Sequence, residues 1–196
     1  MEPSINLTPP TLDYVQGRIR EFDRSERFNE PAVGLVFQQW PANTDYAQVL
    51  VKTIVLNRLY STNVYNVQKV AKQIVDLKID EPLRRGDCSL VEKIAGVNPN
   101  RKPFLLSFAT KYCSWHQPEL YQIYDSTVDM LLSGYQKQFN FASFRREELR
   151  DYENFLAIVD KFRSHFGLTS IGRKQLDKFL WMEGKQPSTN ALGAMD

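Results

Sequence analysis

Cysteine is scarce in this chain of 196 residues, which contains only Cys88 and Cys113. No apolar region of the signal-peptide type follows Met1, and no apolar run is long enough to cross a bilayer. These shortages argue against a disulfide-stabilised secreted protein and against a membrane protein. We therefore predict a cytoplasmic protein that keeps its thiols reduced.

An excess of charge of one sign is also lacking. The 25 basic and 23 acidic residues leave a net charge of only +2. This balance neither requires nor excludes a polyanionic partner, so a nucleic-acid surface has to come from local clustering of basic residues.

Patterns of metal ligands are sparse. Cys113 and His116 have a ligand-like spacing, but no second pair accompanies them, because Cys88 and His165 are isolated in the sequence. The sequence therefore predicts no metal site, and the reaction predicted below requires no organic cofactor.

Sustained alternation of apolar and polar residues is missing, which argues against β-strands. Helical spacing is frequent instead, as in Val70, Ala71 and Ile74. We predict an all-α fold, a compact bundle of about ten helices in one domain over residues 1–183, followed by a disordered tail at 184–196. The stretch 46–60 is apolar on almost every side, which predicts a central helix buried between neighbours.

Two separated segments of the chain together resemble a known protein family. Residues 54–74, IVLNRLYSTNVYNVQKVAKQI, combine an apolar helix, a polar loop and a second helix. Farther on, IAGV is followed by a basic turn, an apolar helix and IYDSTV. In this order the segments resemble the helix-hairpin-helix DNA glycosylases, and in detail a bacterial branch similar to 8-oxoguanine DNA glycosylases. The resemblance covers about residues 44–139 and implies two helical lobes around a cleft.

The resemblance implies a catalytic lysine and a catalytic aspartate, which we assign to Lys102 and Asp125. A bifunctional glycosylase needs an amine that attacks the anomeric carbon and a carboxylate that activates the amine. Lys111 is the alternative nucleophile, on the face opposite to Lys102 if the helix is continuous. Non-catalytic roles fit as well, with Lys102 as a surface charge and Asp125 as the cap of a helix beginning at Ser126.

The resemblance also suggests residues that would bind the extruded nucleotide and the DNA backbone. An aromatic group that includes a histidine precedes Asp125, although aromatic residues at this density also form cores. The predicted substrate-binding residues are Trp115, His116, Tyr121, Tyr124, Asn57 and Arg58. The predicted DNA-backbone residues are Gly96, Asn98, Arg101, Arg84 and Arg85. The hairpin turn has one glycine where the family has two, because Asn98 and Pro99 follow Val97.

The functional prediction is a DNA base-excision repair glycosylase, with or without AP-lyase activity, that removes a damaged purine such as 8-oxoguanine by base flipping. Its predicted partner is double-stranded DNA, and it is expected to be a monomer. The alternative is a non-catalytic helical scaffold of the same fold that binds nucleic acid or a protein partner.

Overall fold

A computed structural model describes residues 6–25, 29–96 and 105–186. Over these ranges the chain forms ten α-helices and one short 3₁₀ helix, without a β-strand. The prediction of an all-α fold is therefore confirmed for the described part of the chain. In chain order the helices are α1 (Leu12–Ser25), α2 (Asn29–Gln39), α3 (Tyr46–Tyr60), α4 (Val67–Asp76), α5 (Asp80–Arg85), α6 (Ser89–Ala95), α7 (Leu106–His116), α8 (Ser126–Phe139), the 3₁₀ helix (Arg146–Arg150), α9 (Tyr152–His165) and α10 (Arg173–Gly184).

The chain divides into two compact units. The terminal unit combines Met1–Ser25 with Asp125–Asp196, and the middle unit is Glu26–Tyr124. The single helical domain over residues 1–183 and the two lobes around a cleft stay predictions. Residues 187–196 of the predicted tail lie outside the described residues.

In the terminal unit, α1 packs along α10, and both helices contribute aromatic side chains to the core. The rings of Phe22 and Trp181 meet edge to face with centroids 5.1 Å apart. Beside them the buried carboxylate of Glu183 accepts hydrogen bonds from the Tyr14 hydroxyl at 2.8 Å and from Arg18 Nε at 2.9 Å. A buried carboxylate needs such donors, and here they fix the register between the two helices.

In the middle unit, α4 follows its sequence pattern closely. Asn66 caps the helix, since its side chain accepts a hydrogen bond from the amide of Lys69 at 2.9 Å. Val70, Ala71 and Ile74 are buried on one face, as the spacing predicts.

Helix α3 does not follow its pattern. Its buried side chains are Val49, Lys52, Thr53 and Leu56, whereas Val51, Ile54 and Leu59 are exposed. The prediction that α3 is buried on all sides is therefore wrong. The reason is that Lys52 takes a place in the core, which turns the side of the helix that carries Val51 and Ile54 outward.

Candidate functional site

Helix α7 carries a lysine and a tryptophan one turn apart. Lys111 and Trp115 are separated by four residues, a spacing that places both on one face of a helix. The amine of Lys111 donates a hydrogen bond to Ser107 Oγ at 2.9 Å and lies over the ring of Tyr60, 6.0 Å from its centroid. The rings of Tyr60 and Trp115 are 6.4 Å apart. We call Tyr60, Ser107, Lys111 and Trp115 the α7 amine cluster.

Helix α2 packs against Trp115 of this cluster. The Phe37 ring is 6.0 Å from that of Trp115, and a Cβ atom placed on Gly34 would lie 3.6 Å from the same indole. An alanine at position 34 would therefore make an ordinary van der Waals contact with the indole. Lys111 is only 5% exposed, while Trp115 is partly exposed. The cluster thus combines a sheltered amine with an aromatic surface that solvent reaches.

A second, more deeply buried group of polar side chains surrounds Lys52 of α3. The Lys52 amine donates to three oxygen atoms: the carbonyls of Trp40 at 3.0 Å and Ala42 at 2.9 Å, and Asn43 Oδ1 at 2.7 Å. It also lies 3.3 Å from His116 Nε2. All donors of the ammonium group therefore have acceptors close by, as burial of a charge requires.

Asn43 connects this lysine to two further helices. Its Oδ1 accepts a hydrogen bond from the Tyr112 hydroxyl at 2.6 Å, and its Nδ2 donates to Asp80 Oδ1 at 2.7 Å. The backbone amide of Asn43 also donates to the Asp80 carboxylate, at 3.1 Å and 3.2 Å from its two oxygens. We call Asn43, Lys52, Asp80, Tyr112 and His116 the Lys52 cluster. The hydrogen bonds of this cluster hold the connection between α2 and α3 against α5 and α7.

Burial sets the protonation of the Lys52 cluster. It lowers the pKa of Lys52 from 10.5 to about 8, with the nearby Asp80 charge opposing this effect. Burial also lowers the pKa of His116 from 6.5 to about 3, and the Lys52 charge acts in the same direction. Burial raises the pKa of Tyr112 well above 10.0. At neutral pH the cluster therefore holds one ammonium charge beside a neutral imidazole.

The Lys52 cluster is suited to fixing helices rather than to chemistry on a substrate. The Lys52 side chain is 0% exposed. His116 ends α7 instead of standing in an open loop, and its ring packs against Phe37 with centroids 4.8 Å apart. The ring of His116 is half-buried, because α7 extends through this residue and places the ring against Phe37.

Two predicted nucleotide-binding residues lie on α3. Asn57 organises the loop after the helix: its Oδ1 accepts hydrogen bonds from the Val64 amide at 2.9 Å and the Thr62 hydroxyl at 3.1 Å. Its Nδ2 donates to the Val64 carbonyl at 3.0 Å. Arg58, the next residue of the helix, is exposed. The loop carries Tyr65, which is 88% exposed.

The predicted tyrosines have structural contacts of their own. Tyr121 is 0% exposed, and its hydroxyl donates to the carbonyls of Asp87 at 3.2 Å and Pro82 at 3.4 Å. Tyr124 is joined to Thr110 through its backbone, because its amide donates to the threonine hydroxyl at 3.1 Å and its carbonyl accepts from the same hydroxyl at 3.3 Å. Tyr121 therefore presents no surface to a ligand in this conformation.

Asp125 is the first residue of the C-terminal stretch of the terminal unit, and it caps α8. Its Oδ1 accepts hydrogen bonds from the amides of Thr127 at 3.1 Å and Val128 at 3.0 Å, and its backbone is extended. This is the N-cap geometry expected for the residue before Ser126. The capping prediction is confirmed, whereas a catalytic role for the carboxylate stays a prediction.

The predicted DNA-backbone residues and the predicted nucleophile are only partly within the described ranges. Asn98, Arg101 and Lys102 lie outside the described residues. Gly96 ends α6, with its amide donating to the Glu92 carbonyl at 2.8 Å. The other two predicted residues, Arg84 and Arg85, are exposed on α5, and Arg85 pairs with Glu81 at 2.9 Å.

Lys52, Asn43, Asp80 and Tyr112 were not among the predicted site residues. The sequence contains one signal for them, because Lys52 and Thr53 are polar residues on the same helical face as Val49 and Leu56. Within residues 6–25, 29–96 and 105–186, no group of three or more histidine, cysteine, aspartate or glutamate side chains is placed to hold a metal ion. None of the helices in these ranges has the length and apolar character needed to span a bilayer.

Comparison with known proteins gives a family and one relative. No solved structure matches the chain. A protein of Haemophilus influenzae described as an uncharacterized protein is 38% identical over 132 residues, which are 66% of this chain and 63% of the relative. The chain thus spans less than two thirds of that relative. Residues 14–120, which include the α7 amine cluster and the Lys52 cluster, match the family HI_0787_N, described as an N-terminal domain. The chain therefore belongs to the HI_0787_N family.

Proposed function

We propose that this protein is a DNA base-excision glycosylase with AP-lyase activity, similar to the helix-hairpin-helix glycosylases, and that Lys111 supplies the amine. The observation that carries the proposal is the α7 amine cluster, in which the Lys111 amine is sheltered beside the rings of Tyr60 and Trp115. The substrate class we propose is a damaged purine such as 8-oxoguanine in duplex DNA. The choice of Lys111 over Lys102 is part of the proposal and is tested directly below.

The proposed reaction begins with attack of the lysine amine on C1′ of the damaged nucleotide. The C1′–N bond breaks, and its electron pair leaves with the base, which takes up a proton. Opening of the sugar ring then gives a Schiff base between C1′ and the lysine nitrogen. The resemblance implies that a carboxylate removes the proton that makes the amine nucleophilic.

Recognition of the base would rest on stacking. Extruded bases are held between aromatic side chains, and each such contact contributes roughly 1–3 kcal/mol. Trp115 is partly exposed and stands one turn from the amine on the same helix. Tyr65, which is 88% exposed in the loop after α3, offers a second ring to an unpaired base.

Borohydride trapping tests the nucleophile. The protein is incubated with duplexes carrying 8-oxoguanine or an abasic site, and the Schiff base is reduced to a stable adduct that shifts in a denaturing gel. We expect an adduct for the wild type and for Lys102→Gln, and none for Lys111→Gln. Lys72→Gln is the matched control, because Lys72 is an exposed lysine paired with Asp76 on α4. Adduct loss with Lys102→Gln instead would move the nucleophile to that residue.

A second candidate function is the non-catalytic scaffold that binds nucleic acid or a protein. It is favoured by the contacts of His116 and Tyr121, whose polar atoms are directed to partners within the middle unit. The two candidates differ in one measurement. A scaffold that binds nucleic acid retards duplex DNA at low salt but releases no base from any lesion and forms no adduct.

A further inference from the structure

Residues 6–11, which precede α1 and belong to no helix, lie against α8 within the terminal unit. Leu7 is 5% exposed, and Pro10 is also buried, whereas Asn6, Thr8 and Pro9 are exposed. One side of this stretch therefore faces the helix, and the other side faces solvent. We call residues 6–11 the Leu7 segment.

The side-chain amide of Gln138 on α8 binds both main-chain groups of Leu7. Its Oε1 accepts a hydrogen bond from the Leu7 amide at 2.8 Å, and its Nε2 donates to the Leu7 carbonyl at 2.9 Å. The same Nε2 donates to Asn6 Oδ1 at 3.2 Å, and the Tyr135 hydroxyl donates to the Thr8 carbonyl at 3.4 Å. The two bonds to Leu7 are available to any residue except proline, because they involve only the main chain.

Gly134 determines which side chain fits beside this amide. A Cβ atom on Gly134 would lie 2.9 Å from Leu7 Cδ1, which is closer than van der Waals contact allows. The bare backbone at this position therefore admits a branched aliphatic side chain against α8. We call Gly134, Tyr135 and Gln138 the α8 site. It binds one main-chain unit and one leucine side chain.

Few contacts hold the Leu7 segment in this place. Both main-chain bonds of Leu7 go to one side chain, and that side chain, Gln138, is exposed. Surface segments of this kind open at a lower free energy than packed helices do. Helix α1 has its own attachment to α10, through the bonds of Tyr14 and Arg18 to Glu183. The segment can therefore leave α8 while α1 stays packed.

We propose that the α8 site binds an extended, leucine-containing segment of a partner protein, and that the Leu7 segment occupies it as an internal ligand. The chemistry of the partner follows from the contacts, since leucine fills the place beside Gly134 and the main chain pairs with Gln138. The flanking residues Asn6 and Thr8 are exposed, so the site selects them weakly. The α7 amine cluster takes no part, and the proposal is therefore independent of the proposed reaction.

An NMR titration of the full chain tests the proposal. An isotope-labelled Leu7→Asp chain, whose own segment would have to bury a carboxylate, is titrated with an unlabelled capped peptide of residues 6–11. We expect saturable shifts of the Gly134 backbone amide and the Gln138 side-chain amide, with a dissociation constant in the millimolar range. The same peptide with aspartate in place of leucine should shift neither resonance. Wild-type protein should bind the leucine peptide about tenfold more weakly, because its own segment competes.

Two variants of α8 in the Leu7→Asp chain test the contacts. Gln138→Ala should weaken peptide binding about tenfold, since it removes both main-chain hydrogen bonds. Lys137→Ala, a change of the exposed neighbouring residue, is the matched control and should leave binding unchanged. Equal binding of the leucine and aspartate peptides, or binding that Gln138→Ala does not weaken, overturns the proposal.

The remaining outcomes are equally decisive. A folded Leu7→Asp chain that binds no peptide overturns the proposal. So does a Leu7→Ala chain that fails to fold, because a segment needed for folding cannot be exchanged for a ligand. Unlabelled wild-type protein, added in place of the peptide, should cause no shift, since its segment is held within its own chain. Shifts of the same resonances would assign the site to a second copy instead of a different protein.

Discussion

Replacement of Asn43 by alanine should destabilise the middle unit much more than the same replacement at Asn66. Both asparagines precede helices, and both accept at least one hydrogen bond through Oδ1. They differ in burial, because Asn43 is 1% exposed and Asn66 is exposed at the start of α4. The pair therefore separates the contribution of the Lys52 cluster from that of an ordinary helix cap.

The loss of stability expected for Asn43→Ala follows from the hydrogen bonds that alanine cannot make. The Asn43 side chain has short contacts with the Lys52 ammonium at 2.7 Å, the Asp80 carboxylate at 2.7 Å and the Tyr112 hydroxyl at 2.6 Å. Two of these involve a charged group and contribute more than a neutral hydrogen bond. Because Asp80 is partly exposed and regains water, we expect a loss of about 4 kcal/mol for Asn43→Ala. Loss of the Asn66 cap should cost about 1 kcal/mol.

Urea unfolding followed by tryptophan fluorescence and circular dichroism measures both variants under the same conditions. The free energies of unfolding of the two variants should differ by at least about 2 kcal/mol. If Asn43→Ala loses no more than Asn66→Ala, the buried network does not stabilise the fold. Asn43→Asp is a further control, because it keeps an acceptor for Lys52 but places a second carboxylate beside Asp80.

Three further predictions concern protonation, capping and packing. Burial lowers the pKa of His116 from 6.5 to about 3, so the unfolded chain binds a proton that the folded chain excludes. The contribution of His116 to the free energy of unfolding should be fully present above about pH 6.5 and should decrease below it by up to about 1.4 kcal/mol per pH unit. In His116→Gln, the free energy of unfolding measured with urea should therefore depend less on pH between about pH 7 and 5. Asp125→Ala should lower stability by about 1 kcal/mol, whereas Asp125→Asn keeps the cap and, in an active glycosylase, should abolish the borohydride adduct. A Cβ atom on Gly184 would lie 2.1 Å from Thr127 Cγ2, so Gly184→Ala should reduce the free energy of unfolding by about 1–3 kcal/mol. A Cβ atom on Gly17 of α1 would lie 3.9 Å from Arg20 Nη2, an ordinary van der Waals contact, so Gly17→Ala should increase the free energy of unfolding by up to about 1 kcal/mol.

Local signals in the sequence predicted the helices well. Gly96 ends α6 and Asp125 opens α8, as glycine after a helix and aspartate before one suggest. The start of α10 does not follow such a signal: Thr169 and Ser170 are good cap residues, yet the helix begins at Arg173 after Gly172. The difference arises because the Ile171 side chain is buried and its carbonyl accepts a hydrogen bond from Arg163 Nη2 at 2.6 Å, which keeps the chain non-helical up to that point.

The candidate site was predicted only in part, because its central contacts join residues far apart in the chain. Trp115 and Lys111 were recognised on α7, but the ring of Tyr60 reaches them from another helix. The Lys52 cluster depends on Asn43, which precedes α3, and on His116, which ends α7, a separation of 73 residues. Spacing along one helix does not reveal such pairings.

The inward lysine and the outward apolar face of α3 have one physical cause. Ile54 follows Lys52 by two residues, so the two side chains point to nearly opposite sides of the helix. Rotation of α3 to bury Ile54 would leave the carbonyls of Trp40 and Ala42 without their donor inside the protein. Hydrogen bonds to a charged group contribute about 1.5–3 kcal/mol each, which is comparable to or greater than the gain from burying one isoleucine. The polar anchor therefore sets the rotation of the helix, and the exposed apolar face is its consequence.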